Sequence, residues 1–201
     1  MKISKVEELR SLYPEPKTRA IKKELDFLDK HCINFIKNSP FMILSSRDAS
    51  GKMDTSPRGG TAGFIKILNQ NQIILADAKG NNRLDTIRNI VECPEVGSLF
   101  MIPGIDETLR LNGKAEIRTD AKYLKLFPEE QNEPNTFILI TVETVFLHCA
   151  KALMRSDLWG NKNRIEGKDF PSMGVMLKDQ IKGDEVPESR EDMKIRYQPD
   201  L

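Results

Sequence analysis

The side chains able to do chemistry fall in four short stretches. Thr55-Ser56-Pro57-Arg58-Gly59-Gly60-Thr61 sets a permanently charged planar guanidinium beside two glycines and three hydroxyls. Glycines let the backbone approach a ligand and expose its N–H groups, so this composition suits a phosphate-binding loop. The same residues also read as a plain turn. Asp77-Ala78-Lys79-Gly80-Asn81-Asn82-Arg83 lies where a strand pattern gives way to a helix pattern. Helix starts present free N–H groups and a positive dipole end, and Lys79 and Arg83 would add charge there. The plainer reading is that Asn81 or Asn82 caps the helix and Arg83 is solvated. In Thr108-Leu109-Arg110-Leu111-Asn112-Gly113-Lys114, strand alternation puts Thr108, Arg110, Asn112 and Lys114 on one face, which could also be a solvated one. The fourth stretch, His148 to Trp159, gathers His148, Cys149, Lys151, Arg155 and Trp159. A Cys/His nucleophilic pair fails on geometry, because adjacent strand residues point to opposite faces, and Cys149 is expected to be a buried structural thiol. Lys151 and Arg155 are better suited to a pocket rim or a subunit contact. Equally, Leu153 and Trp159 could simply pack on the domain.

Several classes are excluded. There is no GxxxxGK[ST] and no GxGxxG, which argues against a P-loop nucleotidase or a Rossmann dehydrogenase. No Ser/His/Asp triad and no paired carboxylates stand out, so no catalytic acid or base is nominated. The 31 basic and 30 acidic residues nearly cancel, for a net charge of +1. That balance disfavours nucleic acid and anionic membrane surfaces as partners. The cysteines, Cys32, Cys93 and Cys149, are odd in number and form no CxxC pair, and with His31 and His148 as the histidines no metal site is expected. The first residues lack the apolar core of a signal peptide, and no apolar run reaches membrane-spanning length. A cytoplasmic protein with reduced thiols is the expectation.

The elements that must position these residues follow from periodicity. Residues 1–17, broken by Tyr13-Pro14-Glu15-Pro16, read as an N-terminal arm. A domain follows over 18–177, and a charged extension over 178–201. A helix is expected from Thr18, which would cap it, to Asn38, with an apolar stripe at Ile21, Leu25, Leu28, Cys32 and Phe35/Ile36. Strands are expected over Phe41–Ser46, Met53–Ser56, Gly63–Leu68 and Gln72–Asp77, with Pro57-Arg58-Gly59-Gly60 interrupting. A short helix opened by Gly80–Asn82 carries Leu84, Ile87 and Ile90/Val91 and stops at Pro94. Further strands follow at Val96–Ile102, Thr108–Thr119 and Thr136–Cys149. A small helix at Asp120–Phe127, a loop at Pro128–Asn135 and a helical turn at Ala150–Leu158 complete the pattern. Gly113 inside a strand predicts a bulge or a close backbone approach. Six or seven short hairpin-linked strands with one mid-chain helix predict a mainly β protein built on an antiparallel barrel or sandwich.

Taken in order, these segments resemble the pyridoxamine 5'-phosphate oxidase-like family of FMN-binding split barrels, from about Phe41 to Trp159. The resemblance rests on the Arg58 strand entrance, the second hairpin, Gly-Asn-Asn-Arg-Leu-Asp-Thr-Ile-Arg-Asn-Ile, Pro-Glu-Val-Gly-Ser-Leu-Phe, and Leu-Arg-Leu-Asn-Gly-Lys-Ala-Glu. It implies a six- to seven-stranded antiparallel split β-barrel and a homodimer with FMN at the subunit interface. It also implies an oxidoreductase whose substrate and electron donor are open. The implied cofactor-binding residues are Arg58, Gly59, Thr61, Asp77, Ala78, Lys79, Asn82 and Arg83. Thr108 and Arg110 would come from the second subunit, with Lys151 and Arg155 at the pocket rim. The Arg- and Trp-rich substrate segment of the true oxidases is not recognisable after Trp159, so the expectation is a separate branch. A flavin carrier or redox sensor, or a barrel holding deazaflavin or haem, are the alternatives. An oligonucleotide-binding barrel lacks the basic excess and interleaved aromatics that base stacking needs.

Overall fold

The computed structural model describes residues 2–128 and 133–200. In chain order the elements are α1 (Val6–Arg10), α2 (Thr18–Lys22), α3 (Lys30–Asn38), β1 (Phe41–Arg47), β2 (Met53–Gly59), β3 (Lys66–Asn69), β4 (Gln72–Ala76) and α4 (Asp85–Glu92). They continue with β5 (Glu95–Met101), β6 (Thr108–Arg118), a 3₁₀ turn (Ala121–Leu126), β7 (Phe137–His148), α5 (Lys151–Ser156), α6 (Met173–Ile181) and α7 (Arg190–Tyr197). Of the loop expected over 128–135, residues 129–132 lie outside the described residues.

All seven strands form one antiparallel sheet in the order β2-β1-β5-β6-β7-β4-β3. That order puts β2 and β3 at opposite edges, yet only residues 60–65 join them. A link this short cannot cross a flat seven-stranded sheet, which would be about 29 Å from edge to edge at ~4.8 Å per strand. The sheet must therefore curl until its edges approach, which is the geometry of a split barrel. The interior holds Met42, Leu44, Ile73, Leu75, Phe100, Leu109, Leu111, Ile138, Ile140 and Val145, all essentially inaccessible to solvent. Leu28, Cys32, Phe35 and Ile36 cap this core from one side, and Ile90 of α4 from another. A second, smaller cluster stacks Phe127 on Phe137 and sets Tyr123 edge-on against it.

Three expectations about elements are corrected. The single helix over Thr18–Asn38 is two helices separated by an extended segment. Leu25 there pairs with Val145, donating its N–H at 3.0 Å and accepting at 2.8 Å. Thr18 does not cap α2, whose side-chain cap is missing, whereas Asp29 accepts from the His31 and Cys32 amides and starts α3. The stripe positions that are buried belong to the stretch from Leu28 onward, while Ile21 is exposed. Strand β2 does not stop at Pro57 but runs to Gly59. Proline is tolerated because β2 is an edge strand whose outer side needs no ladder donor. Helix α4 starts at Asp85, later than Gly80–Asn82, because Asn82 and Leu84 both adopt left-handed backbone angles, φ 59° and 58°. Gly113 meets both halves of its expectation. The β6–β7 register shifts between Asn112 and Gly113, and a Cβ at Gly113 would collide with the Thr141 carbonyl oxygen.

Candidate functional site

A cleft of about 1520 Å³ opens where the curled edges of the sheet meet. The end of β2 and the loop after it supply Arg58, Gly59 and Thr61. The segment between β4 and α4 supplies Asp77, Ala78, Lys79, Asn82 and Arg83. Two loops about twenty residues apart in sequence thus share one cavity. Leu75, Phe64, Ile87 and Phe127 give it apolar wall, and Lys66 lies over the Phe127 ring at 5.5 Å. Gly60 is needed here for packing, because a Cβ would come within 2.8 Å of the Phe64 Cβ.

Two cations of the cleft, Arg83 and Lys79, have a carboxylate partner. Arg83 donates from Nε to Asp85 at 2.8 Å, which strengthens its hold on its proton. Lys79 Nζ lies 2.9 Å from Asp200 Oδ1. Arg58 is half-buried and bonds the Pro57 carbonyl oxygen at 2.9 Å. Asp77 is half-buried too. Its pKa is raised above the ordinary carboxylate value because burial outweighs the pull of the Arg58 charge. With Lys66 and Glu133 included, four basic residues face four acidic ones across the lining. Between β4 and α4 the chain makes a local turn in which the Asn81 carboxamide oxygen accepts from the Arg83 amide at 3.1 Å. The left-handed Asn82 and Leu84 flank Arg83. For a leucine this is a sparsely populated conformation, and such strain tends to collect at ligand clamps.

Beneath the lining, Asp54 accepts from the hydroxyls of Ser56 at 3.0 Å and Thr86 at 2.9 Å. Thr86 is buried, so this bond fixes the first turn of α4 against β2 and sets the spacing of the two loops. Sequence reading passed over Asp54, Thr86, Asp85 and Asp200. Asp85, two residues after Arg83, could have been found as its counter-ion. The other three act across the fold and carry no local signal.

The remaining predicted site residues lie elsewhere. Thr108 and Arg110 sit on β6, opposite His148 and Phe146 of β7, outside this cleft. The register is regular over Thr108–Arg110, so these two residues share a strand face, but Thr108 is buried there whereas Arg110 is exposed. Arg110 stacks over the Phe146 ring at 5.6 Å, and Lys23 lies over the same ring at 4.9 Å. Lys151 and Arg155 are exposed on α5. Trp159 donates from Nε1 to the Ile105 carbonyl at 2.9 Å, tying the end of this stretch to the β5–β6 loop. Cys149, expected buried, is exposed because β7 ends at His148 and the chain leaves the sheet there. Among the described residues no cluster of three His, Cys, Asp or Glu could hold a metal, and no helix is long and apolar enough to cross a membrane.

The family model described as Pyridoxamine 5'-phosphate oxidase matches residues 28–149, more than half of the sequence, and the chain belongs to that family. The match begins at Leu28 and ends at Cys149, so it contains the whole sheet and leaves α1, α2 and α5–α7 outside. No curated protein matches the sequence. Among solved structures, two of HupZ from Group A Streptococcus are similar at 20% identity, with TM-scores of 0.51 and 0.50. They cover 60% of this chain and 99% and 93% of theirs. An FMN-binding protein from Syntrophomonas wolfei is similar at 15% identity and a TM-score of 0.46, covering 72% of this chain and 97% of that one. The sheet described above is thus the split barrel of this family.

Proposed function

We propose that this chain binds FMN in the cleft and acts as an FMN-dependent oxidoreductase, working as a cytoplasmic homodimer. The observation that carries the reading is the convergence of the Arg58–Thr61 and Asp77–Arg83 loops on one cavity. Each loop alone is an ordinary turn. Together they offer three cations, hydroxyls and backbone N–H groups to one dianion, beside an apolar wall suited to an aromatic ring system. The volume is ample for a ligand of nucleotide size. Membership of the family supports the same choice of ligand.

In this reading Arg58, Lys79 and Arg83 hold the phosphate, with Asn82 and the Gly59–Thr61 backbone completing the cradle. Asp77 and Ala78 lie toward the ring. Bound flavin supplies the redox chemistry, accepting and passing electrons, and the protein supplies binding, orientation and electrostatics. Arg110, exposed and remote from the cleft of its own chain, would reach the partner's cofactor, Thr108 would support that strand face from its buried position, and Lys151 and Arg155 would line the rim from the same side. Homodimer formation is thus part of the proposal.

The test is the absorption spectrum of the purified chain, before and after adding FMN, followed by reduction with NADH or NADPH. Flavin bands that bleach on reduction and return with an acceptor support an oxidoreductase. Bands that never bleach would make the protein a flavin carrier or sensor. A chain that retains no FMN, or that carries a haem band instead, contradicts the proposal.

A further inference from the structure

The chain beyond Cys149 lies outside the family match, yet its last turn reaches the cleft. Helices α6 and α7 form a hairpin held by its own bonds. Glu188 receives both the Nε and the Nη2 of Arg196 at 2.8 Å, the Ser172 hydroxyl donates to the Glu188 carbonyl at 3.1 Å, and Arg190 donates to the Phe170 and Pro171 carbonyls. The hairpin ends in a 3₁₀ turn, Gln198–Asp200. From that turn Asp200 enters the lining of the cleft and places its carboxylate 2.9 Å from Lys79 Nζ, 121 residues away in sequence.

We infer that the C-terminal turn is a built-in competitor for the anion site: the Asp200 carboxylate holds Lys79 in place of a ligand phosphate, and the two exclude each other. This rests on the reading of the cleft as a phosphate site. The charge pattern supports it. Asp200 is the one acidic lining residue that comes from outside the barrel, and removing it would leave the lining with a positive excess. The competition is modest in strength, because Lys79 is largely solvent-exposed, with 64% of its side chain accessible. An exposed ion pair of this kind changes an affinity by about two- to fivefold. A tethered carboxylate is nevertheless always present at high local concentration. The arrangement makes docking of the tail and occupancy of the cleft reciprocal: ligand frees the turn, and a partner that captured the turn would open the site.

The experiment compares the full chain, Asp200→Asn and a chain ending at Tyr197 in titrations of FMN fluorescence. The turn buries no residue, so neither change endangers the fold. Both altered chains are expected to bind FMN about two- to fivefold more tightly than the full chain, with the gap shrinking as salt rises. Equal or weaker binding overturns the inference, since the turn would then be neutral or a lid that helps hold ligand. A second readout does not need FMN. Exchange of the Gln198 and Asp200 amides should quicken in Lys79→Met, and in the full chain on adding pyrophosphate. If no form binds FMN, the cofactor reading fails by itself and these amides decide. Exchange that is unchanged by both Lys79→Met and pyrophosphate then overturns the competition as well.

Discussion

Asp77 and Arg58 both line the cleft, and the Arg58 charge acts on the half-buried Asp77 carboxylate without forming an ion pair with it. Burial raises the Asp77 pKa in the folded chain, so between the unfolded and folded values the native state binds more protons than the unfolded state. Stability therefore falls as pH rises through that window, and the loss persists at neutral pH. Asp77→Asn should melt at a higher temperature than the parent at pH 7, with the advantage gone below about pH 4, where both states are protonated. An unchanged melting temperature at pH 7 would mean that Asp77 is better solvated than its position implies. Arg58→Ala should weaken FMN binding by roughly 1.5–3 kcal/mol, the scale of a charge-assisted hydrogen bond. Arg83→Ala should cost less, because Arg83 must first loosen its bond to Asp85. Titrating both variants side by side tests that order, and an equal or larger loss for Arg83→Ala would reverse it.

At the scale of elements, the barrel depends on a cap and a close approach. Asp29 accepts two amide hydrogens at the start of α3, which holds its carboxylate below the usual range. Asp29→Ala should cost about 1 kcal/mol at neutral pH, measured by urea unfolding. The folded pKa is the lower one, so the benefit exists above the unfolded value and fades as pH falls through the folded one. The variant and parent should therefore converge in acid. Gly113→Ala should be far worse, costing on the order of 3 kcal/mol, because the new methyl meets backbone that cannot step aside. The strands, the Gly113 irregularity and the α4 stripe were legible because each is written in local period or in a residue with one use. The break between α2 and α3 was not. The apolar spacing of Ile21, Leu25 and Leu28 is helical, but Leu25 is taken by a bridge to Val145, a partner 120 residues away. The late start of α4 was hidden likewise, since nothing in Leu84 announces a left-handed backbone.

For the whole molecule, curvature does what no single loop can. The sheet brings its two edges together, and so sets two unremarkable glycine- and cation-bearing turns around one cavity. The loops were readable from glycine and cation content, and their order along the chain suggested that they belong together. Asp54, Thr86 and Asp200 were not readable, because their roles exist only across the fold. A dimer that brings the Arg110 face of β6 to the partner's cleft should sediment at twice the chain mass at micromolar concentration, and a monomer there would remove Arg110 from the site. The central claim is that the cleft anchors a flavin by its phosphate. The most direct measurement titrates the purified chain into FMN and, separately, into riboflavin, following fluorescence quenching. Phosphate anchoring predicts saturation at one FMN per chain, with riboflavin bound at least about tenfold more weakly. Equal affinity for the two, or no saturable quenching of FMN, would contradict it.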